Sequence, residues 1–207
     1  MAVSSNFDLS VFYRCAILGY QDSLLVNSNR QFYVYCKISD TVDFIFGYSA
    51  TVFQHCQILV KKGLPTDTNT ITAQGGAYAP GAVFGFTLQF CNILADHDLL
   101  PFLKTTKTYL GRPWKPYLKA IVMQSILGDV LSPEGWSRWN NSYYALDTMY
   151  YAEYNNTGSG AKVQNRVKWQ GFHIRNESNQ AINFTVARLI SGDQWLNATG
   201  VPYTSGF

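Results

Sequence analysis

Two aspartates with a repeated spacing carry the most informative chemistry in this sequence. Asp22 and Asp43 are 21 residues apart. Cys15 and Cys36 have the same separation. A fixed period near twenty residues is typical of a solenoid, in which equivalent positions of successive coils stand side by side. On neighbouring strands the two aspartates would be about 4.8 Å apart, which predicts a paired-carboxylate site.

Paired carboxylates can divide the work of acid–base and nucleophilic catalysis. Two carboxyl groups this close cannot both ionise easily, so their protons leave in two separated steps. The ionised member can act as a nucleophile or base, and the protonated member can donate to a leaving group. Gln21, next to Asp22, offers an amide N–H to a developing oxyanion. The alternative is that the aspartates only form a polar ladder or cap turns. This would give the same spacing, so the spacing does not decide between the catalytic and the structural interpretation.

A second dense motif, Tyr-Leu-Gly-Arg-Pro-Trp-Lys, occupies residues 109–115. Arg112 offers a planar fork that suits a carboxylate, either a catalytic aspartate or an acidic sugar. Trp114 offers a flat apolar face of the kind on which sugar rings and methyl esters stack. An Arg–Trp stacking pair in the core is the alternative. Trp136 could equally line a groove or fill the core.

Strands with one buried face must position these side chains. Alternating apolar residues recur around each cysteine, at Val11–Ile17, Phe32–Ile38, Val52–Ile58 and Thr87–Ile93, and around a serine at Ile121–Leu127. Period-2 alternation indicates strands, and the equal spacing of similar strands implies parallel stacking around a continuous core. We therefore predict an all-β chain, a parallel β-helix, in which residues 1–207 form a single domain.

Loops and one short helix complete the predicted architecture. Glycine and proline mark loops at residues 62–65 and 75–81, and a further loop is predicted at 96–108. Helix signals are scarce, apart from a short segment around Val186–Ile190.

The four cysteines have two interpretations. Stacked coils bring Cys15 and Cys36 within the Cα separation of a disulfide, and a Cys56–Cys91 bridge would hold the base of the longest loop. We favour these two disulfides over the alternative, a ladder of free buried cysteines. The sequence has no Cys-x-x-Cys, and its three histidines share no ligand spacing, so no metal site is predicted.

Composition favours an extracellular β protein. Only 14% of the 207 residues are charged, 15% are aromatic, and the formal net charge is +3. Without a Lys/Arg cluster this charge does not support nucleic-acid binding, and no apolar run is long enough for a membrane span. Five Asn-x-Ser/Thr sequons suggest secretion, at Asn140, Asn155, Asn176, Asn183 and Asn197. No signal-peptide pattern begins the chain, so we expect its natural N-terminus to lie further upstream.

Three motifs make the sequence resemble the plant-type pectin methylesterases, or pectinesterases. They are Gly19–Leu24, Thr41–Gly47 and Leu110–Trp114. The resemblance extends from about Asp8 to Phe207. It implies a right-handed parallel β-helix that hydrolyses galacturonate methyl esters in pectin, releases methanol and needs no cofactor. It also fits the cysteine pairs, Cys56–Cys91 most clearly.

The resemblance also implies roles for individual residues. Asp43 is expected to be the nucleophile, Asp22 the acid and then the base, and Gln21 part of the oxyanion hole. Arg112 is expected to hold Asp43 ionised and oriented. The residues expected to line the sugar groove are Arg112, Trp114, Phe44, Trp136 and Tyr109.

The implied partners are methylated homogalacturonan and a proteinaceous pectinesterase inhibitor, for a monomer secreted to the cell wall. The family's domain begins before the segment that matches Met1, with further coils and a second oxyanion glutamine, so we expect an N-terminally truncated domain. Tyr48 stands where the family usually has asparagine, and could crowd the site.

Two alternatives to an active esterase stay open. One is a catalytically impaired, truncated pectinesterase that only binds pectin. The other is a different β-helix enzyme, a pectate lyase or polygalacturonase, which would explain the aspartates but not Gly111–Trp114.

Overall fold

A computed structural model describes residues 1–76 and 83–207. Strands dominate this part of the chain: β1 Val3–Ser5, β2 Ser10–Tyr13, β3 Ala16–Leu18, β4 Leu24–Val26, β5 Arg30–Val34, β6 Lys37–Asp40, β7 Val42–Gly47, β8 Ala50–Gln54, β9 Gln57–Val60, β10 Asn69–Gln74, β11 Gly85–Gln89, β12 Asn92–Ala95, β13 Thr108–Gly111, β14 Lys119–Met123, β15 Ile126–Leu127, β16 Tyr150–Tyr154 and β17 Phe172–Arg175.

Helical segments are short and lie mainly near the C-terminus. Two are α-helical, α1 Ser178–Ala181 and α2 Val186–Leu189. The 3-10 turns are Leu100–Phe102, Trp139–Asn141, Ser159–Ala161, Ile182–Phe184, Gly192–Gln194 and Leu196–Thr199. The position of α2 confirms the predicted short helix.

The strands form three parallel sheets, which the chain visits in turn. The first sheet has the order β1-β4-β7-β10-β13, the second β17-β16-β14-β11-β8-β5-β2, and the third β15-β12-β9-β6-β3. Each of the first five coils contributes one strand to every sheet, and neighbouring coils pair in parallel. The predicted parallel β-helix is confirmed.

The repeat seen in the sequence is the register of the sheets. In the second sheet one continuous row of paired residues joins Val11, Phe32, Val52, Thr87 and Ile121. In the third sheet the corresponding row joins Ile17, Ile38, Ile58, Ile93 and Leu127. The residues aligned by their spacing to the cysteines are therefore the residues that pair between coils.

A left-handed residue turns the chain from the second sheet to the third in each of these coils. The residue before each cysteine, and before the serine of the fifth coil, has φ between 50° and 55°: Arg14, Tyr35, His55, Phe90 and Gln124. This conformation costs a non-glycine residue about 1–2 kcal/mol. Stacking between coils offsets part of that cost, since the His55 ring lies 5.1 Å from the rings of both Tyr35 and Phe90.

The predicted disulfides are not formed. All four cysteines lie in the described part of the chain, and all four are free: Cys15, Cys36, Cys56 and Cys91. Each cysteine lies in the corner between a strand of the second sheet and a strand of the third, where stacked coils are about 4.8 Å apart, farther than the roughly 3.5–4.5 Å between the Cβ atoms of a disulfide. The thiol of Cys36 instead donates to the carbonyl oxygen of Phe12 at 3.3 Å. The structure therefore shows the alternative, a ladder of free cysteines.

The C-terminal segment is fastened to the second sheet by a row of glutamines. Gln54 Nε2 donates to Gln89 Oε1 at 2.7 Å, and Gln89 Nε2 donates to Gln124 Oε1 at 2.8 Å. The same two amides donate to the carbonyl oxygens of Thr204 and Gly206, at 2.8 and 2.7 Å. The end of the chain thus covers the outer face of this sheet.

The predicted loops follow β9, β10 and β12. Residues 61–68 and 96–107 connect strands of the third sheet to strands of the first, and the later loop contains the turn at Leu100–Phe102. Most of the predicted loop at 75–81 lies outside the described residues. None of the described helices is long and apolar enough to cross a membrane.

Candidate active site

Asp22 and Asp43 occupy equivalent positions of adjacent coils, as their spacing predicts. Gln21 pairs with Val42 in parallel, and the backbone N–H of Asp22 donates to the Val42 carbonyl at 3.0 Å. Both aspartates have φ of 51°. Aspartate is one of the few non-glycine residues that tolerate this left-handed conformation. The two carboxyl groups line the same cleft.

An irregularity in β7 directs Asp43 into that cleft. Val42 pairs with Thr70 of β10, but Ile45 pairs with Thr72, so β7 has one residue more than β10 over this stretch. A β-bulge of this kind bends the strand and re-aims a side chain. Asp43 is one of the two residues within the bulge.

The bulge also changes which aromatic residue of β7 reaches the site. Phe44, expected from the resemblance to line the sugar groove, is fully buried in the core. Phe46 lines the cleft instead. Strict alternation from Asp43 would turn Phe46 inward, so the sequence pattern could not identify it.

Arg112 grips both oxygens of Asp43. Its Nε donates to Oδ1 at 2.9 Å and its Nη2 donates to Oδ2 at 2.7 Å. Thr70 Oγ1 adds a third donor, 2.6 Å from Oδ1. The Asp43 residue is only 6% exposed, so these charge-assisted bonds act where water competes weakly. The predicted fork between Arg112 and an aspartate is therefore present, and the position of the Asp43 carboxylate is fixed.

Arg112 is itself placed by the end of β13. Its backbone N–H donates to the carbonyl of Thr72 in β10 at 3.0 Å. The Arg112 guanidinium also lies over the Trp139 ring, 4.5 Å from the centroid. Trp139 was not identified from the sequence, because it lies in an irregular segment with no repeat to align it.

Asp22 has an environment that favours its protonated form. Burial raises the pKa of Asp22 above its ordinary value, and the negative charges of Asp43 and then Asp40 raise it further. The pair is therefore asymmetric: Asp43 has a guanidinium as its direct partner, whereas Asp22 lies beside two other carboxyl groups. Such a difference separates a nucleophile from a proton donor.

Asp40 is a buried carboxyl group beneath the segment that carries Gln21 and Asp22. It accepts the backbone N–H of Ser23 at 3.1 Å and that of Thr41 at 2.7 Å. Burial raises the pKa of Asp40 as well. Asp40 was not identified from the sequence, although it lies only three residues before Asp43, at the end of β6.

The cleft has a volume of about 300 Å³ and is partly aromatic. Its lining residues are Gln21, Asp22, Asp43, Phe46, Ala73, Arg112, Trp114 and Trp139. The Trp114 ring packs edge-on against Phe46, with centroids 5.9 Å apart. Tyr48, expected to crowd the aspartates, lies against Trp114 with centroids 5.0 Å apart and is not among the residues that line the cleft. Tyr48 therefore does not fill the cleft beside the aspartates.

A longer groove of about 740 Å³ adjoins the cleft and shares Gln21 and Arg112 with it. Tyr109 and Trp136 both line this groove, although Tyr109 is 9% and Trp136 only 1% exposed. Of the eight residues expected at the site, seven therefore line the cleft or the groove, and Phe44 does not.

Trp136 belongs mainly to the structure beneath the groove. Its ring stacks on Tyr151 with centroids 3.9 Å apart, and its Nε1 donates to Glu153 at 3.2 Å. Glu153 is held by a second bidentate arginine, Arg166, at 2.7 and 3.0 Å. In residues 1–76 and 83–207 no group of three His, Cys, Asp or Glu side chains could hold a metal ion.

Comparisons with known proteins point to one family. A profile described as pectinesterase matches residues 1–193. A pectinesterase/pectinesterase inhibitor from Prunus persica is 55% identical over 208 residues, and pectinesterase 2 from Citrus sinensis is 48% identical over 206 residues. Both alignments cover 100% of this chain but 40% of the relative. The chain thus spans about two fifths of the length of these curated relatives.

Solved structures agree with the sequence matches. Pectin methylesterase from carrot superposes with a TM-score of 0.93 at 48% identity, covering 97% of this chain and 62% of the carrot chain. Pectin methylesterase from Aspergillus niger superposes with a TM-score of 0.72 at 28% identity, covering 90% of this chain and 55% of that one. Both relationships run through nearly all of the fold described above.

Proposed function

Because the chain belongs to the pectinesterase family, we propose that it hydrolyses the methyl esters of galacturonate units in pectin and releases methanol. The observation that carries this proposal is the bidentate contact of Arg112 with Asp43, next to Asp22 in one cleft. The proposed reaction needs no cofactor, since the nucleophile, the acid and the oxyanion donor are all side chains.

In the first step Asp43 attacks the carbonyl carbon of the ester. The Gln21 amide donates to the carbonyl oxygen as it gains negative charge. Asp22 gives its proton to the methoxy oxygen, the bond from that oxygen to the acyl carbon breaks, and methanol leaves. Asp43 now carries the acyl group as an anhydride, and Asp22 is a carboxylate. The raised pKa of Asp22 supports its role as the proton donor.

In the second step Asp22 acts as a base. It takes a proton from water, whose oxygen attacks the acyl carbon of the anhydride. The bond from that carbon to Asp43 then breaks, which releases the free acid of the sugar and restores both aspartates. Arg112 holds Asp43 in one orientation through both steps, and Trp114 offers the sugar ring a flat apolar surface.

Methanol release from highly methylated pectin tests the proposal. We expect release by the 207-residue chain and its loss in Asp43→Asn, which keeps the shape of the side chain but removes the nucleophile. Asp129→Asn is a matched control, because Asp129 is exposed and lies outside the cleft and the groove. Circular dichroism checks that each variant keeps its strands.

Three outcomes would contradict the proposed mechanism or the proposed activity. Equal release by Asp43→Asn and Asp129→Asn would exclude Asp43 as the nucleophile. A folded wild-type chain that binds pectin without releasing methanol would favour the alternative, a pectinesterase that only binds pectin. Cleavage of the polymer backbone would instead indicate a glycosidase or a lyase.

We also propose that the chain is a secreted, monomeric, single-domain protein of the cell wall. Its partners are methylated homogalacturonan and a proteinaceous pectinesterase inhibitor. The unbroken ladder of strands from β2 to β17 supports one domain. All five sequon asparagines are exposed, as glycosylation requires: Asn140, Asn155, Asn176, Asn183 and Asn197. A loss of mass on enzymatic removal of N-glycans, after expression in plant cells, tests secretion.

A further inference from the structure

A cavity of about 580 Å³ lies where β14, β16 and β17 meet the C-terminal helical turns. Among the described residues, it shares no lining residue with the cleft or the groove. Three cations line it: Lys119 at the start of β14, Arg175 at the end of β17 and Arg188 in α2. We call it the cationic cavity. It is therefore separate from the proposed catalytic site.

The charges of the cationic cavity are not compensated by the protein. No aspartate or glutamate is among its described lining residues. The three ion pairs in the described part of the chain involve other arginines, at positions 30, 112 and 166. Positive charges that converge without a carboxylate repel one another and attract an anion.

Aromatic groups hold two of the cations in place. Arg175 donates to the Tyr150 hydroxyl from Nε at 3.1 Å and from Nη2 at 2.9 Å. Lys119 Nζ lies 4.7 Å from the centroid of the Phe84 ring. Contacts of this kind restrict a cation without neutralising it, so its charge stays available to a ligand.

The other polar groups of the cavity suit a sugar. Asn179 and Gln180 contribute amide side chains, which can both donate to and accept from hydroxyl groups. Tyr150 lines the same cavity, but its ring is already stacked on Phe184, with centroids 5.3 Å apart, and packed against His173 at 4.7 Å. A simple inorganic anion would need the cations alone. Cations and amides together match a sugar that carries a carboxylate and hydroxyl groups.

We propose that the cationic cavity binds de-esterified galacturonate segments of pectin. The inference rests on the proposed function in one respect: pectin is the polymer on which the chain acts. Hydrolysis converts a neutral ester into a carboxylate, so this cavity selects product over substrate. It therefore holds the protein on stretches that have already been de-esterified, while the cleft remains free for an ester.

Calorimetric titration with fully de-esterified oligogalacturonate tests this site. This probe has no ester to hydrolyse, so the binding result does not depend on catalysis. We expect Lys119→Gln/Arg188→Gln to weaken binding at the cavity by about tenfold or more, since two charge-assisted contacts are lost. Arg175 is left in place because its bonds to Tyr150 support the fold.

A double variant with the same loss of charge is the control. Lys104→Gln/Lys162→Gln removes two exposed cations outside the cavity, the cleft and the groove. Both double variants should still release methanol from short methylated oligomers at the wild-type rate. Protein made in a host without N-glycosylation is used, because Asn183 belongs to a sequon.

Three outcomes would overturn the proposal. Equal weakening of oligogalacturonate binding in the two double variants would show that the effect comes from the overall charge of the protein and not from the cavity. Equal affinity for esterified and de-esterified oligomers would remove the selectivity for carboxylates. Displacement of the oligomer by inorganic phosphate at equal concentration would show that the cavity recognises any small anion and not a sugar carboxylate. Failure of methanol release in the wild type, by contrast, would contradict the proposed function and not the binding site.

Discussion

Replacing Arg112 by lysine separates the charge of the guanidinium from its geometry. Arg112 makes two bonds to Asp43, at 2.9 and 2.7 Å, and the two side chains are 21% and 9% exposed. A lysine keeps the positive charge, but its ammonium group cannot span both carboxylate oxygens in the fixed fork geometry. Arg112→Lys therefore removes one charge-assisted bond and leaves Asp43 held less firmly, by the lysine and by Thr70.

The expected size of the effect follows from that lost bond. A hydrogen bond to a charged group contributes about 1.5–3 kcal/mol, and each 1.36 kcal/mol added to the barrier slows a reaction about tenfold. We expect kcat/KM for methanol release to fall by roughly 10- to 100-fold in Arg112→Lys. Arg112→Gln should lose more, because removal of one partner of a buried pair leaves its charge uncompensated.

Arg30→Lys is a matched control for the same change. Arg30 grips Asp8 with the same two-bond geometry, at 3.0 and 2.5 Å, but the pair is 35% and 43% exposed and lies outside the cleft. Its replacement should leave methanol release unchanged, since exposed pairs contribute little. Wild-type activity in Arg112→Lys would refute the argument that orientation of Asp43 matters, and would leave only a role for charge.

Three further predictions concern acidity, stability and redox state. Asp40→Asn removes a charge that raises the pKa of Asp22, so the alkaline limb of the kcat profile should move to lower pH; an unmoved limb would exclude this coupling. Arg166→Met leaves the buried Glu153 carboxylate unpaired and should lower the urea unfolding free energy by about 3–5 kcal/mol, whereas a loss under 1 kcal/mol would show that the pair contributes little. Because the four cysteines are free, reducing agent should leave the melting temperature unchanged, and a clear drop would indicate disulfides.

The fold was predictable because the strand register of a solenoid appears in its sequence as a regular spacing of similar residues. The apolar positions around Cys15, Cys36, Cys56 and Cys91 recur at separations of 21, 20 and 35 residues, and the sheets pair at those separations. The corner conformation was not predictable in the same way. Left-handed residues are usually recognised as glycine or asparagine, but these corners use residues such as Tyr35 that side-chain stacking supports.

The disulfide prediction was wrong because a short distance between two cysteines does not by itself establish a bridge. Stacking predicts that equivalent cysteines are close, and the structure leaves all four free, with Cys15 half-buried and the other three buried. It does not predict the direction of the Cβ–Sγ bonds, which decides whether a bridge can form. The four cysteines are therefore neighbours on stacked coils that stay free.

Site residues at repeated positions of the solenoid could be found from the sequence, whereas those at irregular positions could not. Asp22 and Asp43 share a repeat position, so their proximity follows from spacing alone. Arg112 directly follows β13, which lies two places away from β7 in the same sheet, and the chemistry of its fork was enough to suggest a carboxylate partner. Neither the repeat spacing nor side-chain chemistry identifies Phe46 or Trp139. A bulge reverses the alternation of side chains before Phe46, and Trp139 lies in a turn without a repeat. Phe46 and Trp139 therefore needed the structure, whereas the two aspartates and Arg112 did not.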